Sequence, residues 1–133
     1  MRGLDTSILV RYLVKDDKRQ AETASAYIRD AAARGENCFI NHIVFCELVW
    51  VLESAYDFGK REISDVLEMI LITKQFEIEQ KDILRQAIKD YAQGKGDLAD
   101  YLTGRTNHGY GCIRTATFDR ALKDMPSFEL LEK

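Results

Sequence analysis

The chain has 133 residues, of which 46% are hydrophobic and one is proline. This length allows one compact domain with a buried core and excludes a second, so a single domain is expected over residues 1–133. The charged fraction of 31% is mixed in sign and the net charge is −3, which excludes a disordered chain and any overall attraction to nucleic acid. A nucleic-acid substrate would have to be held by local basic patches or by a bound metal.

Short apolar runs alternate with helical segments along the chain, which is typical of a parallel sheet covered by helices on both faces. Strands are predicted over 3–4, 38–40, 76–78, 112–115 and 128–131. Helices are predicted over 7–13, 19–34, 42–56, 61–72, 82–93 and 98–108, with a short turn after Asp119. The predicted fold class is α/β, a three-layer α/β/α sandwich on a short parallel sheet.

The three cysteines, Cys38, Cys46 and Cys112, adjoin apolar runs and have no Cys-x-x-Cys spacing. They are interpreted as small core residues of a protein in a reducing compartment, without a disulfide framework or a zinc site. The N-terminus lacks the long apolar region of a signal peptide, and the apolar run 43–52 is too short to span a bilayer. A cytoplasmic protein with no membrane partner is therefore expected.

Glu47 is the single carboxylate of the apolar run 43–52, which predicts a helix buried on most sides. An ionised carboxylate buried without a partner would shift its pKa or unfold the helix. Because a position inside a helix offers no cap to make, Glu47 should be held by a cation, by a metal or at the mouth of a site. The structural alternative is a buried ion pair with Arg105 or Arg120.

Four aspartates lie at the edges of apolar elements, and each has a structural interpretation. Asp5 and Asp119 could cap the helical turns that follow them, while Asp97 and Asp100 have the spacing of a capping box. Together with Glu47 they indicate a site, because ligands of doubly wound sheets collect at the carboxyl ends of the strands. Converging carboxylates repel one another unless a hard cation lies between them. Magnesium or manganese fits, since both take oxygen ligands and keep waters for hydrolysis.

Cations near these carboxylates could contact phosphates of a substrate. Arg11 and Lys15 lie one turn apart on the helix after Asp5, and Lys95 precedes Asp97. For each of these cations, a solvated charged surface is the alternative.

Other phosphoryl chemistry fits the residues less well. A phosphotransfer enzyme of the haloacid-dehalogenase kind, with Asp5 as nucleophile, would need a second Asp where Ser7 stands. A Gly-x-x-x-x-Gly-Lys-Ser/Thr loop is also absent from the sequence, which disfavours nucleotide hydrolysis.

Four segments carry a more specific signal: Gly-Leu-Asp-Thr-Ser-Ile-Leu-Val-Arg-Tyr-Leu at 3–13, Glu-Leu-Val-Trp-Val-Leu at 47–52, Asp-Leu-Ala-Asp-Tyr-Leu at 97–102, and Gly111-Cys112 leading to Thr-Phe-Asp-Arg at 117–120. In this order and spacing they resemble the PIN-domain ribonucleases, and within that family the VapC-type toxins of toxin–antitoxin pairs. The resemblance covers nearly the whole chain. It implies a PIN-like sandwich, an endoribonuclease dependent on magnesium or manganese that cleaves RNA with a metal-activated water, and neutralisation by a small antitoxin protein.

The resemblance also implies roles for individual residues. The acidic catalytic and metal-binding positions fall on Asp5, Glu47, Asp100 and Asp119, an additional acidic position on Asp97, and site-orienting hydroxyl positions on Thr6 and Thr117. Asp5 and Asp100 would hold the principal metal, Asp97 and Asp119 would complete its surroundings, and Glu47 would ligate or orient the attacking water. Whether Asp97 is a ligand or a cap, and whether one metal binds or two, stays open.

The chain departs from the family pattern at two positions. Ser7 stands where many relatives have asparagine, which preserves a small hydrogen-bonding group, and the segment 101–105 is poorer in alanine than in many relatives. Gly104 in that segment weakens the helix by up to about 1 kcal/mol relative to alanine.

Two further expectations concern partners. Apolar residues of the run 43–52 and of a second segment exceed what one small sheet covers, which, with the resemblance, predicts a homodimer; the second segment contributes Val66, Leu67, Ile70, Leu71 and Ile72. The alternative to an enzyme is a regulatory module of the same fold that binds a metal or a partner without catalysis.

Overall fold

The computed structural model describes residues 1–132; Lys133, the end of the predicted domain, lies outside the described residues. Helical segments separate the strands along the chain as predicted, with two helices after each of the first three strands. The elements are β1 (Arg2–Gly3), α1 (Thr6–Val14), α2 (Lys18–Ala33), β2 (Cys38–Ile40), α3 (His42–Ser54), α4 (Lys60–Ile72), β3 (Phe76–Ile78), α5 (Lys81–Gln93), α6 (Leu98–Gly109), β4 (Thr115–Thr117), a 3₁₀ turn (Arg120–Leu122) and β5 (Phe128–Leu130).

All strand pairs are parallel. One sheet has the order β1-β2-β3, with Arg2 opposite Cys38 and Cys38 opposite Phe76, and a second sheet pairs β4 with β5. The predicted α/β sandwich with short parallel strands is confirmed, although the ladder is divided between two sheets. Strands of two or three residues form few ladder hydrogen bonds, so most of the stability must come from the helices packed around them.

The predicted helices are confirmed to within a few residues, because local signals fix their ends. Asp17 accepts from the backbone N–H of Gln20 at 3.1 Å at the start of α2, and Asn41 accepts from that of Val44 at 2.9 Å at the start of α3. None of the helices within residues 1–132 is both long and apolar enough to cross a membrane.

The fourth strand was predicted too early. It begins at Thr115, because the backbone N–H of Cys112 donates to the carbonyl of Asn107 at 3.0 Å and belongs to the turn that ends α6. Gly111 reverses the chain there with a φ of 96°, which is open to glycine at little cost. Cys112 is consequently exposed, so its predicted place in the core is wrong, whereas Cys38 is buried and Cys46 is half-buried.

The core lies between the sheets and their covering helices. On α4 the predicted apolar surplus is largely internal, since Leu67, Ile70 and Leu71 are all buried. Gly104 has a packing reason: a β-carbon there would lie 2.7 Å from the ring of Phe128. The glycine that weakens α6 as a helix therefore lets β5 pack directly on its backbone.

Candidate active site

Asp5 follows β1 and caps α1. Its Oδ1 accepts from the hydroxyl of Ser7 at 2.7 Å and from the backbone N–H of Ile8 at 3.3 Å. The Ser7 hydrogen bond is the main reason that the pKa of Asp5 lies below its ordinary value, with the Ile8 N–H second. Both bonds end on the same oxygen, so Oδ2 of an exposed, ionised carboxylate is left for a ligand.

Glu47 lies on α3 and is tied to the start of α1. The hydroxyl of Thr6 donates to Glu47 Oε1 at 2.6 Å. This bond links the first residue of α1 to α3. It fixes one oxygen of Glu47, while the other oxygen remains open.

The predicted burial of Glu47 is wrong, because its side chain is exposed. The run 43–52 is apolar almost throughout, yet α3 is not covered on all sides: Ile43 is 70% exposed and Trp50 is 68% exposed. Residues at this spacing share one face of a helix with Glu47. A carboxylate on that face is solvated and requires no neutralising partner.

The alternative of a buried Glu47 ion pair is also wrong. Arg105 is engaged by Asp90, with Nε at 2.7 Å from Oδ2 and Nη2 at 2.9 Å from Oδ1. This paired, two-point geometry raises the pKa of Arg105 and joins α5 to α6. Arg120 forms no ion pair with Glu47 within the described part of the chain.

Asp97 and Asp100 form the capping box that their spacing predicts. Asp97 is the N-cap of α6, and Asp100 Oδ2 accepts from the backbone N–H of Asp97 at 3.0 Å. Asp97 is exposed and Asp100 is half-buried. The cap role of Asp97 is thus present in the structure, and its place beside Asp100 is compatible with a second role.

The loop 94–96, which leads into α6, is held by residues that the sequence does not single out. Lys60 Nζ donates to the carbonyl of Gly94 at 2.6 Å and to that of Gly96 at 3.3 Å, while the Tyr101 hydroxyl accepts from the Gly96 N–H at 2.9 Å. The two glycines flanking Lys95 are the only signal of this arrangement in the sequence, since glycine allows close approach of another chain segment.

Asp119 caps the 3₁₀ turn after β4. Its Oδ1 accepts from the Ala121 N–H at 2.9 Å, and its own N–H donates to the hydroxyl of Thr117 at 3.0 Å. The turn reaches the loop before α6, because a β-carbon on Gly96 would lie 2.8 Å from Leu122 Cδ2 and 3.2 Å from Asp100 Oδ2. The turn that Asp119 begins therefore packs against the segment that carries Asp100.

Capping and ligand binding are compatible in these aspartates. Asp5 and Asp119 each accept a backbone N–H hydrogen bond with Oδ1, and Asp100 accepts one with Oδ2. A cap fixes the rotamer of a carboxylate while the second oxygen stays available. Each cap therefore also orients an oxygen that could bind a metal.

A hard divalent cation fits the chemistry of these oxygen donors. Within residues 1–132, however, no three acidic, histidine or cysteine side chains are close enough to surround one ion, which differs from the predicted convergence of five carboxylates. Magnesium usually keeps several waters and binds through one or two carboxylates. The arrangement therefore fits a water-rich site and does not fit a cage made of protein ligands alone.

A groove of about 360 Å³ runs between α1 and α3 beside Glu47. It is lined by Thr6, Ser7, Val10, Arg11, Glu47, Val51, Ala55 and Tyr56. Its one cation, Arg11, is held by Gln20 at 2.6 Å and by Asp16 at 3.0 Å. The groove thus pairs an apolar floor with a fixed guanidinium and an open carboxylate.

The other two predicted phosphate contacts lie outside this groove lining. Lys15 was predicted to lie on α1, but it is the C-cap of that helix, in the left-handed conformation with a φ of 60°. Its ammonium lies 5.6 Å from the centre of the Tyr12 ring. Lys95 is exposed in the loop before α6.

Comparison with known proteins shows the family of the chain. Residues 4–127 match the PIN domain family. The chain is 30% identical to a VapC ribonuclease of Aquifex aeolicus (strain VF5) over 125 residues, which are 94% of this chain and 92% of that protein. No solved structure matches the chain at a significant level. The chain belongs to the PIN-domain family and resembles its VapC-type members over nearly its whole length.

Proposed function

We propose that this protein is a divalent-metal-dependent endoribonuclease and the toxin of a toxin–antitoxin pair. The single observation that carries the proposal is Asp5, an exposed carboxylate at the end of β1 whose pKa is lowered by Ser7 and whose second oxygen is open. Membership of the PIN-domain family and the likeness to a VapC ribonuclease support the choice of RNA as substrate.

In this proposal, Asp5 and Asp100 would hold magnesium or manganese, and Asp97 and Asp119 would complete its surroundings through bound water. The ion, when bound, supplies Lewis acidity that lowers the pKa of a water and offsets negative charge on the phosphate. Glu47 would orient the attacking water. Side-chain hydroxyls hold three of these residues: Ser7 donates to Asp5, Thr6 donates to Glu47, and Thr117 accepts from the backbone N–H of Asp119.

Two hydroxyls have defined tasks. Thr6 donates to Glu47, so the second Glu47 oxygen has a fixed direction, and Thr117 accepts from the Asp119 N–H, which sets the turn that Asp119 caps. Among the cations, Arg11 is the proposed phosphate contact of the groove, with Lys15 and Lys95 as outer contacts.

The test is cleavage of total RNA with and without Mg²⁺ by the wild type and by Asp5→Asn. Asparagine caps a helix about as well as aspartate, so the variant should fold, but it removes the charge that a metal requires. A matched control is Asp17→Asn, since Asp17 caps α2 in the same way with its Oδ1 accepting from Gln20. We expect Mg²⁺-dependent cleavage by the wild type and by Asp17→Asn and its loss in Asp5→Asn. Cleavage unaffected by Asp5→Asn would refute the proposal.

One observation favours a second candidate, a module that binds a metal or a partner without catalysis. No three potential ligands converge in the part of the chain that the structure describes. The same assay separates the two: this candidate requires that the wild type leaves RNA intact in Mg²⁺ while it still binds Mn²⁺ or a protein partner.

Two protein partners are proposed, together with a cytoplasmic location. A small antitoxin would place a basic side chain near Glu47 in the groove between α1 and α3. A homodimer is supported by apolar side chains left exposed on α3 and α4, namely Ile43, Trp50, Met69 and Ile72. Sedimentation showing only monomer at micromolar concentration would contradict the homodimer.

A further inference from the structure

Lys60, the first residue of α4, lies over an aromatic ring and against a loop of another element. Its ammonium is 4.4 Å from the centre of the Tyr91 ring, and it donates to the carbonyls of Gly94 and Gly96. Tyr91 is only 1% exposed and belongs to α5. One side chain of α4 thus reaches across α5 to the backbone that leads into α6.

The surroundings of Lys60 show that this contact is built into the fold. Burial is the main cause that lowers the pKa of Lys60, and the carboxylates of Asp97 and Glu53 oppose that shift. Lysine is rarely removed from water unless it is paired, and here two carbonyls and a ring face receive its charge. The Lys60 ammonium is therefore held against the loop.

The loop itself has little freedom to rearrange. Gly96 is buried, its N–H donates to the Tyr101 hydroxyl, and any β-carbon on it would collide with Leu122. A β-carbon on Gly94 would collide with Tyr101. Lys60 donates to the carbonyls of this same loop. The loop backbone is therefore held both through its N–H groups and through its carbonyl groups.

We infer that Lys60 is a positioning residue that fixes the loop 94–96 and, through it, the acidic pair Asp97 and Asp100. The inference deepens the proposed function and rests on it. Asp97 follows Gly96 directly, and its N–H is bound by Asp100, so a displacement of the loop moves both carboxylates. In this role Lys60 acts through the loop and not by contact with the substrate.

The test compares Lys60→Met, which keeps the apolar stem, with Lys60→Arg, which keeps the charge and the donors. Lys89→Met is the matched control, because Lys89 is exposed on α5. Two readouts are needed: kcat and KM for RNA cleavage in Mg²⁺, and the rate at which trypsin cuts native protein after Lys95, followed by mass spectrometry. Melting temperatures show that the variants are folded at the assay temperature.

We expect Lys60→Met to lower kcat by about tenfold or more with KM within about twofold, as is usual when a residue that orients a site is removed. It should also be cut faster after Lys95, whereas Lys60→Arg and Lys89→Met stay near the wild type. With an active wild type, a folded Lys60→Met that keeps wild-type kcat, or that keeps wild-type cleavage after Lys95, would overturn the inference. If Lys60→Met does not fold, Lys60→Gln takes its place and the same outcomes decide.

The proteolysis also separates this inference from the proposed function. A wild type that cuts no RNA would refute the nuclease, yet faster cleavage of Lys60→Met after Lys95 would still support the role of Lys60 in holding the loop. Equal cleavage after Lys95 in all variants would refute that role whatever the nuclease result.

Discussion

The two acidic regions of the molecule are held in different ways. In the first region, Asp5 before α1 and Glu47 on α3 are exposed and are oriented by the hydroxyls of Ser7 and Thr6. At the start of α6, Asp97 and Asp100 follow a loop that is buried at Gly96 and packed against several elements. The difference teaches that a carboxylate can be oriented by one surface hydroxyl or by the packing of the core, and that only the second arrangement ties orientation to stability.

Gly96→Ala should give the largest change in stability. Its β-carbon would lie 2.8 Å from Leu122 Cδ2, and overpacking of this kind costs about 1–3 kcal/mol. Urea unfolding measures the loss. Gly3→Ala is the control, since nothing lies within 4 Å of a β-carbon there. Equal stability of the two variants would show that the loop is not packed as described.

Tyr101→Phe should destabilise the second region by about 1–3 kcal/mol, because it leaves the buried N–H of Gly96 without its acceptor. RNA cleavage should fall with it, since the loop positions Asp97 and Asp100. Thermal unfolding and cleavage rates measure the two effects. A variant with full activity and lowered stability would show that the loop does not position Asp97 and Asp100 for cleavage.

Thr6→Val should have the opposite profile in the first region. Valine keeps the shape of threonine but cannot donate to Glu47, so activity should fall about tenfold, as for other residues that orient ligands. The bond is near the surface, so the free energy of unfolding should change by less than about 1 kcal/mol. A large loss of stability with unchanged activity would contradict this account, because it would show that the Thr6 hydroxyl serves the fold and does not orient Glu47 for cleavage.

Ser7→Ala should have the smallest effect and a defined pH dependence. Loss of the Ser7 hydroxyl should raise the pKa of Asp5 toward its ordinary value of 3.8, which an NMR titration of the carboxyl carbon can follow. A lowered pKa in the folded state stabilises the protein above the unfolded-state pKa, and this contribution is lost as the pH falls through the folded-state pKa. The variant should thus be less stable than the wild type at neutral pH, and the difference should vanish in acid.

The sequence predicted the helices well because their caps and apolar periods are local. Asp5, Asp97, Asp100 and Asp119 were all recognisable as caps, and each makes a cap in the structure. The fourth strand was misplaced because Cys112 and Ile113 are apolar yet exposed, and composition cannot show that the turn after α6 includes Cys112.

The site was harder to predict where contacts are distant along the chain. Glu47 was expected to be buried because its neighbours are apolar, but exposure of Ile43 and Trp50 depends on which face of α3 the other helices cover. Lys60 has no motif and lies 34 residues from Gly94. Such contacts come from packing between distant segments, which the local patterns of a single sequence do not reveal.

The central claim is that the capping aspartates keep one oxygen for a metal, and Mn²⁺ titration of Asp5→Asn against the wild type tests it most directly. Asparagine preserves the cap, so the melting temperature should stay close to that of the wild type. The account predicts that Mn²⁺ affinity falls by about tenfold or more, the range reported for groups that serve a metal site. Wild-type Mn²⁺ affinity in a folded Asp5→Asn would contradict it.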